Sequence, residues 1–212
     1  MKYHSWEKLA SKYNDQWVQK YSLIPTRREV KKIVLPLLKQ NSQLKILDIG
    51  CGTGQLIQEI SEICPSVDYL GIDVAQNMIK VAKQNNHGKN VKFINLSIDD
   101  FTSEEKFDII ICTHAFPYFP NKSEAMHKMA SLCQTNGKII IVSSSTNNFK
   151  DLIANLLVKT RTSKARYLSI PQMKRLFSTS GFEVKSVSVI KERAYMPTIA
   201  LFYAEKFSSH SA

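Results

Sequence analysis

Three alternating glycines and one distant aspartate are the residues whose types and spacing could bind a ligand. Gly50, Gly52 and Gly54 directly follow the apolar run 44–49, which is too short for a buried helix and predicts a strand. Glycines let the backbone turn tightly and let a ligand approach without a side-chain clash, while the following helix offers free N–H groups. Asp73 lies about 20 residues further on, where a second strand should end and where a doubly wound sheet usually holds a ribose diol. The pattern therefore predicts a site for a ligand that contains a ribose.

The glycine spacing discriminates between ligands. A dinucleotide fingerprint that starts at Gly50 requires a small residue at position 55, which is Gln55. One that starts at Gly52 requires glycine at position 57, which is Ile57. No Gly-Lys-Ser/Thr sequence follows, so a phosphate-binding P-loop is also excluded. A glycine-rich structural turn without a ligand remains the alternative.

The segment from Asp48 to Gly54 resembles the first motif of class I S-adenosylmethionine-dependent methyltransferases of the small-molecule type. Residues 71–73 resemble the second motif, and the resemblance covers about 44–206. It implies S-adenosylmethionine as cofactor and S-adenosylhomocysteine as product, with the glycines along methionine and ribose and Asp48 at the amino end. Asp73 would bind the ribose hydroxyls. The residues that the resemblance assigns to the cofactor are Tyr13, Asp48, Gly50, Cys51, Gly52, Gly54, Asp73, Val74, Met78, Ser97, Ile98, Asp99, Thr113 and His114.

The sequence departs from the family pattern at several of these positions. Ser97 stands in the adenine-reading loop where the family often has a carboxylate, so either its hydroxyl or the Ile98 backbone contacts the adenine amine. Ala75 replaces a helix-capping serine, and Pro117 replaces a frequent histidine. Tyr13 resembles the N-terminal tyrosine that covers the cofactor in many small-molecule methyltransferases.

The chemistry of methyl transfer needs few catalytic groups, because the sulfonium methyl is already activated. Orientation can supply about 7–11 kcal/mol. This exceeds the contribution of a general base, which is roughly 10²–10⁴-fold in rate, or about 3–5 kcal/mol. His114 directly follows the fourth predicted strand and is the candidate base or substrate-orienting residue, although a structural contact is an equal alternative. Tyr118 is the second catalytic candidate; with Phe116 and Phe119 it could line an apolar substrate pocket or belong to the core.

The elements that must position these residues alternate between strands and helices. We expect an α/β fold with a Rossmann-like, seven-stranded, mostly parallel sheet, helices on both faces and an antiparallel final strand. The last two strands lack the helical crossover that parallel neighbours require. The predicted strands are 44–49, 69–72, 91–94, 107–112, 138–143, 184–190 and 199–204.

Segment boundaries follow from local patterns. Residues 1–40 are predicted to form a helical lid or cap on the Rossmann-like domain 41–207, which contains a helical insert at about 147–168 and is followed by a flexible tail, 208–212. A capping box, Thr26 to Glu29, predicts a helix start, and Pro36 should kink or end that helix. Ser169 with Pro171 predicts another helix start, and Gly181 its end.

Charge and composition limit the kinds of partner that the protein could bind. The net charge is +11, from 29 Lys and Arg against 18 Asp and Glu, with one basic group at 27–32 and another at 159–175. No apolar run approaches the roughly 18 residues of a membrane helix, and the first seven residues contain no signal-peptide stretch. Four scattered cysteines without metal-ligand spacing predict reduced thiols, no metal site and a cytoplasmic protein. We expect a monomer or a homodimer.

Three functions fit these observations. The first is methyl transfer to a small molecule, including an anionic one, beneath a lid formed by the N-terminal segment and the insert. The second is methylation of tRNA or rRNA through the basic groups, but the sequence Thr113 to Phe116 lacks the Asp/Asn-Pro-Pro-aromatic motif of base-amino methyltransferases. The third is a non-catalytic protein that binds S-adenosylmethionine.

Overall fold

A seven-stranded sheet forms the centre of the chain in a computed structural model, which describes residues 4–147, 149, 151, 153, 165–192 and 196–207. The strand order is β3-β2-β1-β4-β5-β7-β6. Strands β1 to β5 are parallel, and β7 is antiparallel to both β5 and β6. The predicted fold class is therefore confirmed. The strands are β1 Lys45–Ile49, β2 Asp68–Asp73, β3 Val91–Asn95, β4 Phe107–Thr113, β5 Cys133–Ser144, β6 Phe182–Ile190 and β7 Ile199–Lys206.

Helices cover both faces of the sheet. They are α1 His4–Leu9, a 3-10 helix Ala10–Asp15, a π-helical turn Gln19–Leu23, α2 Ile24–Gln40, α3 Gln55–Ser61, α4 Gln76–Asn85, a 3-10 turn Phe116–Tyr118, α5 Lys122–Leu132 and α6 Ile170–Thr179. Successive side chains of a strand point to opposite faces, so Ile110 packs in one core cluster with Met129 of α5 and its neighbour Ile111 in the other. That second cluster contains residues of α2, α3 and α4. No described helix has the combination of length and apolar composition that crossing a membrane requires.

The first long helix differs from its prediction at both ends. The capping box at Thr26 to Glu29 is wrong: α2 already begins at Ile24, its N-cap Leu23 makes no side-chain capping bond, and Pro25 lies in its first turn. Pro36 does not end the helix, which continues to Gln40. Val34 and Leu38, on either side of Pro36, are almost fully buried, and their packing holds the helix together across the missing N–H.

The C-terminal elements agree with the sequence more closely. Ser169 and Gln172 form a reciprocal capping box at the start of α6, and Gly181 follows the helix with φ +84°. Strand β5 begins at Cys133, five residues before the predicted start, because Cys133 already pairs with Phe107. An irregularity in the pairing, with Asn136 in the left-handed region at φ +61°, separates this pair from the regular pairing that begins at Lys138. Most of the predicted insert and the tail 208–212 lie outside the described residues.

Candidate functional site

The glycine turn after β1 lies against the end of β4. Gly50 has φ +74° and its N–H donates to the Ile72 carbonyl at 2.8 Å. A Cβ at position 50 would collide with the Cβ of Ala115, so only glycine allows this approach. A Cβ on Gly54, also at φ +74°, would come within 2.8 Å of the Phe93 ring. The turn is therefore fixed by its neighbours in one conformation.

Asp73 ties this turn to the start of α4. Its Oδ2 accepts the Gly52 N–H at 2.9 Å, and its Oδ1 accepts the Ala75 N–H at 2.8 Å. Burial raises the pKa of Asp73, while the hydrogen bonds from the Ala75 and Gly52 amides oppose that rise. The carboxylate at the end of β2 thus organises the loop that the sequence predicts to bind the cofactor.

Asp48, at the penultimate position of β1, is the unusual group of the site. Its side chain is only 1% exposed, and its Oδ1 has no hydrogen-bond partner among the described residues. Burial, and secondly the charge of Asp73, raises the pKa of Asp48 to about 7. A buried carboxylate without a partner is costly, and a cationic ligand group would relieve that cost.

His114 lies directly after β4 in a left-handed backbone conformation, φ +59°. One ring nitrogen, Nε2, is 2.8 Å from the hydroxyl of Thr26 on α2. Burial, and secondly the charge of Arg27, lowers the pKa of His114 to about 4. The imidazole is therefore neutral near pH 7, and its Nδ1 has no hydrogen-bond partner in the described part of the chain.

Arg27 is a site residue that sequence reasoning missed. It is 9% exposed, donates Nε–H to Glu59 at 2.7 Å and donates from Nη1 to Gln19 and Gln55, each at 3.1 Å. The sequence places it in a basic cluster, which suggests a solvated face. Its i, i+3 spacing to the buried Val30 could have indicated the buried side of α2.

The N-terminal segment covers the glycine turn through several contacts. Asn14 accepts a hydrogen bond from the Thr53 hydroxyl at 2.7 Å. The Glu7 carboxylate accepts the first two backbone N–H groups of α4, from Gln76 at 2.7 Å and from Asn77 at 2.8 Å. Glu7 thus supplies the helix cap that Ala75 cannot provide.

Aromatic rings complete this cover. Trp6 packs edge-on against Tyr13, with 6.4 Å between ring centroids, and against Tyr118, with 5.3 Å. Tyr13 Cε1 is the nearest atom to a Cβ built on Gly52, at 3.8 Å. Burial, and secondly Asp73, raises the pKa of Tyr13, which keeps its phenol neutral.

A cavity of about 50 Å³ remains beneath the cover. Its lining includes Thr26, Arg27 and Gln55, which were not predicted. The predicted residues that line it are Tyr13, Asp48, Gly50, Cys51, Gly52, Thr113 and His114. The predicted residues that are not part of its lining are Gly54, Asp73, Val74, Met78, Ser97, Ile98, Asp99 and Tyr118.

The residues outside this cavity have their own partners. Met78 is buried against Ala10 of the N-terminal segment. Ile98 packs in the core, and the Ser97 hydroxyl donates to Asp100 at 2.6 Å. The proposed adenine side is therefore occupied by the chain's own contacts in this conformation. Across the described part of the chain, no group of three or more His, Cys, Asp or Glu side chains could hold a metal ion.

Solved structures of low sequence identity share this fold. The magnesium protoporphyrin IX methyltransferase of Synechocystis PCC 6803, solved with bound SAM, aligns with a TM-score of 0.69 at 18% identity, over 90% of this chain and 84% of that one. The plantazolicin methyltransferase BpumL, solved in complex with a pentazolic desmethylPZN analog and SAH, aligns with a TM-score of 0.73 at 18% identity, over 96% of this chain and 94% of that one.

Sequence comparison identifies the family. A malonyl-[acyl-carrier protein] O-methyltransferase of Bacillus anthracis is 30% identical over 112 residues, which are 53% of this chain. The chain covers only 42% of that relative and about half the length of the other curated relatives of this name. Residues 40–194 match the family described as "Methyltransferase domain". That match includes the glycine turn, Asp73 and His114, and the family predicted from the motifs is confirmed: the chain belongs to the methyltransferase-domain family.

Proposed function

We propose that this protein transfers the methyl group of S-adenosylmethionine to a small-molecule acceptor and releases S-adenosylhomocysteine. The observation on which the proposal depends is the buried, unpartnered Asp48 carboxylate beside the glycine turn. Membership of the methyltransferase-domain family supports the same cofactor. The named neighbours act on a porphyrin and on plantazolicin, which supports an acceptor of small-molecule size.

The residues present fit the amino-acid portion of this cofactor. Asp48 offers a carboxylate oxygen to an ammonium group, and Arg27, which lines the same cavity, offers a guanidinium to a carboxylate. Asp73 is held by two backbone N–H groups, which leaves the remaining lone pairs of its oxygens for ribose hydroxyls. The ammonium and the carboxylate of the ligand thus each have an oppositely charged partner, and the ribose hydroxyls have a hydrogen-bond acceptor.

The adenosyl portion requires the cover to move. A cavity of about 50 Å³ is far below the roughly 300 Å³ at which ligand pockets begin. Tyr13 and Ala10 lie over Gly52 and Met78, so displacement of residues 6–15 would open the predicted ribose and adenine side. Such closure by a terminal segment would also exclude water once the ligand is bound.

The chemistry that the chain's own residues contribute is chiefly orientation. When bound, S-adenosylmethionine supplies a methyl group activated by its sulfonium. In the tautomer of the neutral His114 ring that donates Nε2–H to the Thr26 hydroxyl, Nδ1 is left to accept a hydrogen bond from an acceptor hydroxyl or amine and so to orient it. Tyr118 lies against Trp6 of the cover and would shape the acceptor side rather than exchange protons.

Calorimetry with S-adenosylmethionine tests the site. Asp73→Ala should weaken binding about 100-fold, because the turn and the ribose lose a charged hydrogen-bond acceptor. Asp68→Ala, at the opposite and exposed end of the same strand, is the matched control and should bind as the wild type does. Equal affinity of the wild type and Asp73→Ala would refute the cofactor assignment.

Transfer of a tritiated methyl group into fractionated cell extract tests the acceptor. Label in the small-molecule fraction supports the proposal. Label that appears only in RNA, together with binding of bulk tRNA that falls steeply with salt, would identify a nucleic-acid methyltransferase instead. Tight cofactor binding without transfer to any fraction would identify a non-catalytic binding protein.

A further inference from the structure

A second cavity, of about 570 Å³, lies between the start of α5, helix α6 and the segment that leads into it. Three cationic side chains line it: Lys122 of α5, Arg166, and Arg175 of α6. Asn121, Gln172 and Thr179 add neutral polar groups, and no acidic residue is part of the lining. Its volume lies within the range of pockets that bind small organic ligands.

The positive charge of this basic cavity is uncompensated within the described structure. None of the three cations forms an ion pair with a described acidic residue. Burial, and secondly the charge of Arg166, lowers the pKa of Lys122, as expected for a cation whose near neighbour is another cation. An anion bound between them would remove this repulsion.

The adjoining sequence supplies no counter-charge. The stretch 147–168 contains five Lys and Arg residues and a single acid, Asp151. Asp151 is buried, and its two oxygens accept the backbone N–H groups of Thr198 at 3.1 Å and Asn147 at 3.3 Å. Both of its carboxylate oxygens therefore already accept hydrogen bonds from the backbone.

One short turn separates the basic cavity from the methyl-donor side. The Pro117 carbonyl accepts the Arg166 N–H at 2.9 Å and the Lys122 ammonium at 3.1 Å. Tyr118, the next residue of that 3-10 turn, contacts Trp6 of the cover on the other side. A ligand group in the basic cavity would thus lie just behind the turn that follows His114.

We propose that the basic cavity binds a phosphate group of the methyl acceptor, so that the acceptor is a phosphorylated small molecule; this rests on the proposed function. Two guanidinium groups suit the several oxygens of a phosphate, each through paired N–H donors. A phosphomonoester carries up to two negative charges, which balances three cations better than a single carboxylate does. The three cations cluster around one cavity between two helices, which suits a single anionic group, whereas a nucleic-acid backbone needs a continuous basic groove.

Titration with inorganic phosphate, at an ionic strength held constant with chloride, tests this assignment. The wild type should bind phosphate, measured by calorimetry and by ³¹P line broadening, and should bind acetate more weakly. Arg175→Gln should weaken phosphate binding about tenfold or more, since a charged hydrogen bond is lost. Lys174→Gln is the matched control: Lys174 is the exposed neighbour of Arg175, does not line the cavity, and its loss should change the affinity less than twofold.

Several outcomes would overturn the inference. Phosphate that binds no better than chloride or acetate would do so, as would an equal loss in Arg175→Gln and Lys174→Gln, which would indicate diffuse surface charge. Salt-sensitive binding of bulk tRNA that is weakened equally in both variants would assign the surface to nucleic acid.

S-adenosylmethionine titrated into the same samples separates this inference from the proposed function. Arg175→Gln should retain wild-type cofactor affinity. Failure of the wild type to bind the cofactor, with phosphate binding intact, would refute the proposed function and leave the cavity as a phosphate site. Cofactor binding without phosphate binding would refute the phosphate site and leave the proposed function intact.

Discussion

Two cavities of the described structure differ in the charge of their lining and about elevenfold in volume. The cavity at the glycine turn measures about 50 Å³ and contains the unpartnered carboxylate of Asp48, whereas the basic cavity measures about 570 Å³ and is lined by three cations. The 3-10 turn Phe116–Tyr118 lies between them. The difference teaches that charge is distributed unequally across one turn: a carboxylate and a guanidinium, Asp48 and Arg27, where a zwitterionic methyl donor should bind, and cations alone where an anionic acceptor group could be held.

The strongest test of this unequal distribution is Asp48→Asn. Removing the carboxylate should weaken binding of S-adenosylmethionine about 10²–10³-fold, because the ligand's ammonium would be buried without its counter-charge. Calorimetry at pH 8 measures the loss, and Asp68→Asn, on an exposed position of β2, is the control. An affinity within threefold of the wild type would show that Asp48 does not face the ligand's charge.

Asp48→Asn should also change how the free energy of unfolding depends on pH. The pKa of Asp48 is raised from 3.8 to about 7 in the folded state, so its folded form favours the proton. Stability from this group is full below pH 4 and is lost as the pH rises through about 7, by about 4 kcal/mol for a shift of about three pKa units. Denaturant unfolding without ligand should show this decline in the wild type but not in Asp48→Asn. Parallel pH curves of the two proteins would contradict a raised pKa.

Glu7→Ala tests whether the cover alone keeps the first cavity small. Loss of the cap on α4 should cost about 1 kcal/mol, because the Gln76 and Asn77 N–H groups lose their acceptor. Trypsin cleavage at Lys12 should accelerate about fivefold, and cofactor association should become faster. Glu104→Ala removes an exposed loop carboxylate and should change neither rate. Unaltered cleavage in Glu7→Ala would mean that other contacts hold the segment.

The smallest expected effect concerns His114. Its pKa is lowered from 6.5 to about 4, so its ring signals in NMR spectra should stay constant from pH 8 to 5.5 and shift only near pH 4. His114→Asn assigns those signals. A titration midpoint near pH 6.5 would indicate that the His114 ring contacts solvent and would contradict a desolvated acceptor side.

Local patterns predicted the elements whose causes are themselves local. The apolar run before Gly50, the aspartate that ends β2 and the capping box at Ser169 each depend on residues within a few positions of one another. The structure places all of them where the pattern indicates.

Contacts between distant parts of the chain were not predictable in this way. Thr26 matches a helix cap by type and spacing, yet its hydroxyl bonds to His114, 88 positions away. The true cap of α4 comes from Glu7, 69 positions from Gln76. Arg27 belongs by sequence to the basic group 27–32, which suggests a solvated face. Its partner Glu59 lies on another helix, so the local sequence does not indicate that Arg27 is buried. Tertiary packing decides such pairings, and no local spacing encodes them.

The position of β7 has a consequence for how the chain reaches this fold. Strand β7 lies between β5 and β6 and pairs with both, although it follows them in sequence. During synthesis, the apolar edge of β5 therefore stays open until residues 199–206 emerge, and β6 has no neighbour to pair with. Completion of the sheet becomes a late, long-range step, and truncation before Ile199 would leave a partly formed sheet prone to aggregation rather than a smaller folded protein.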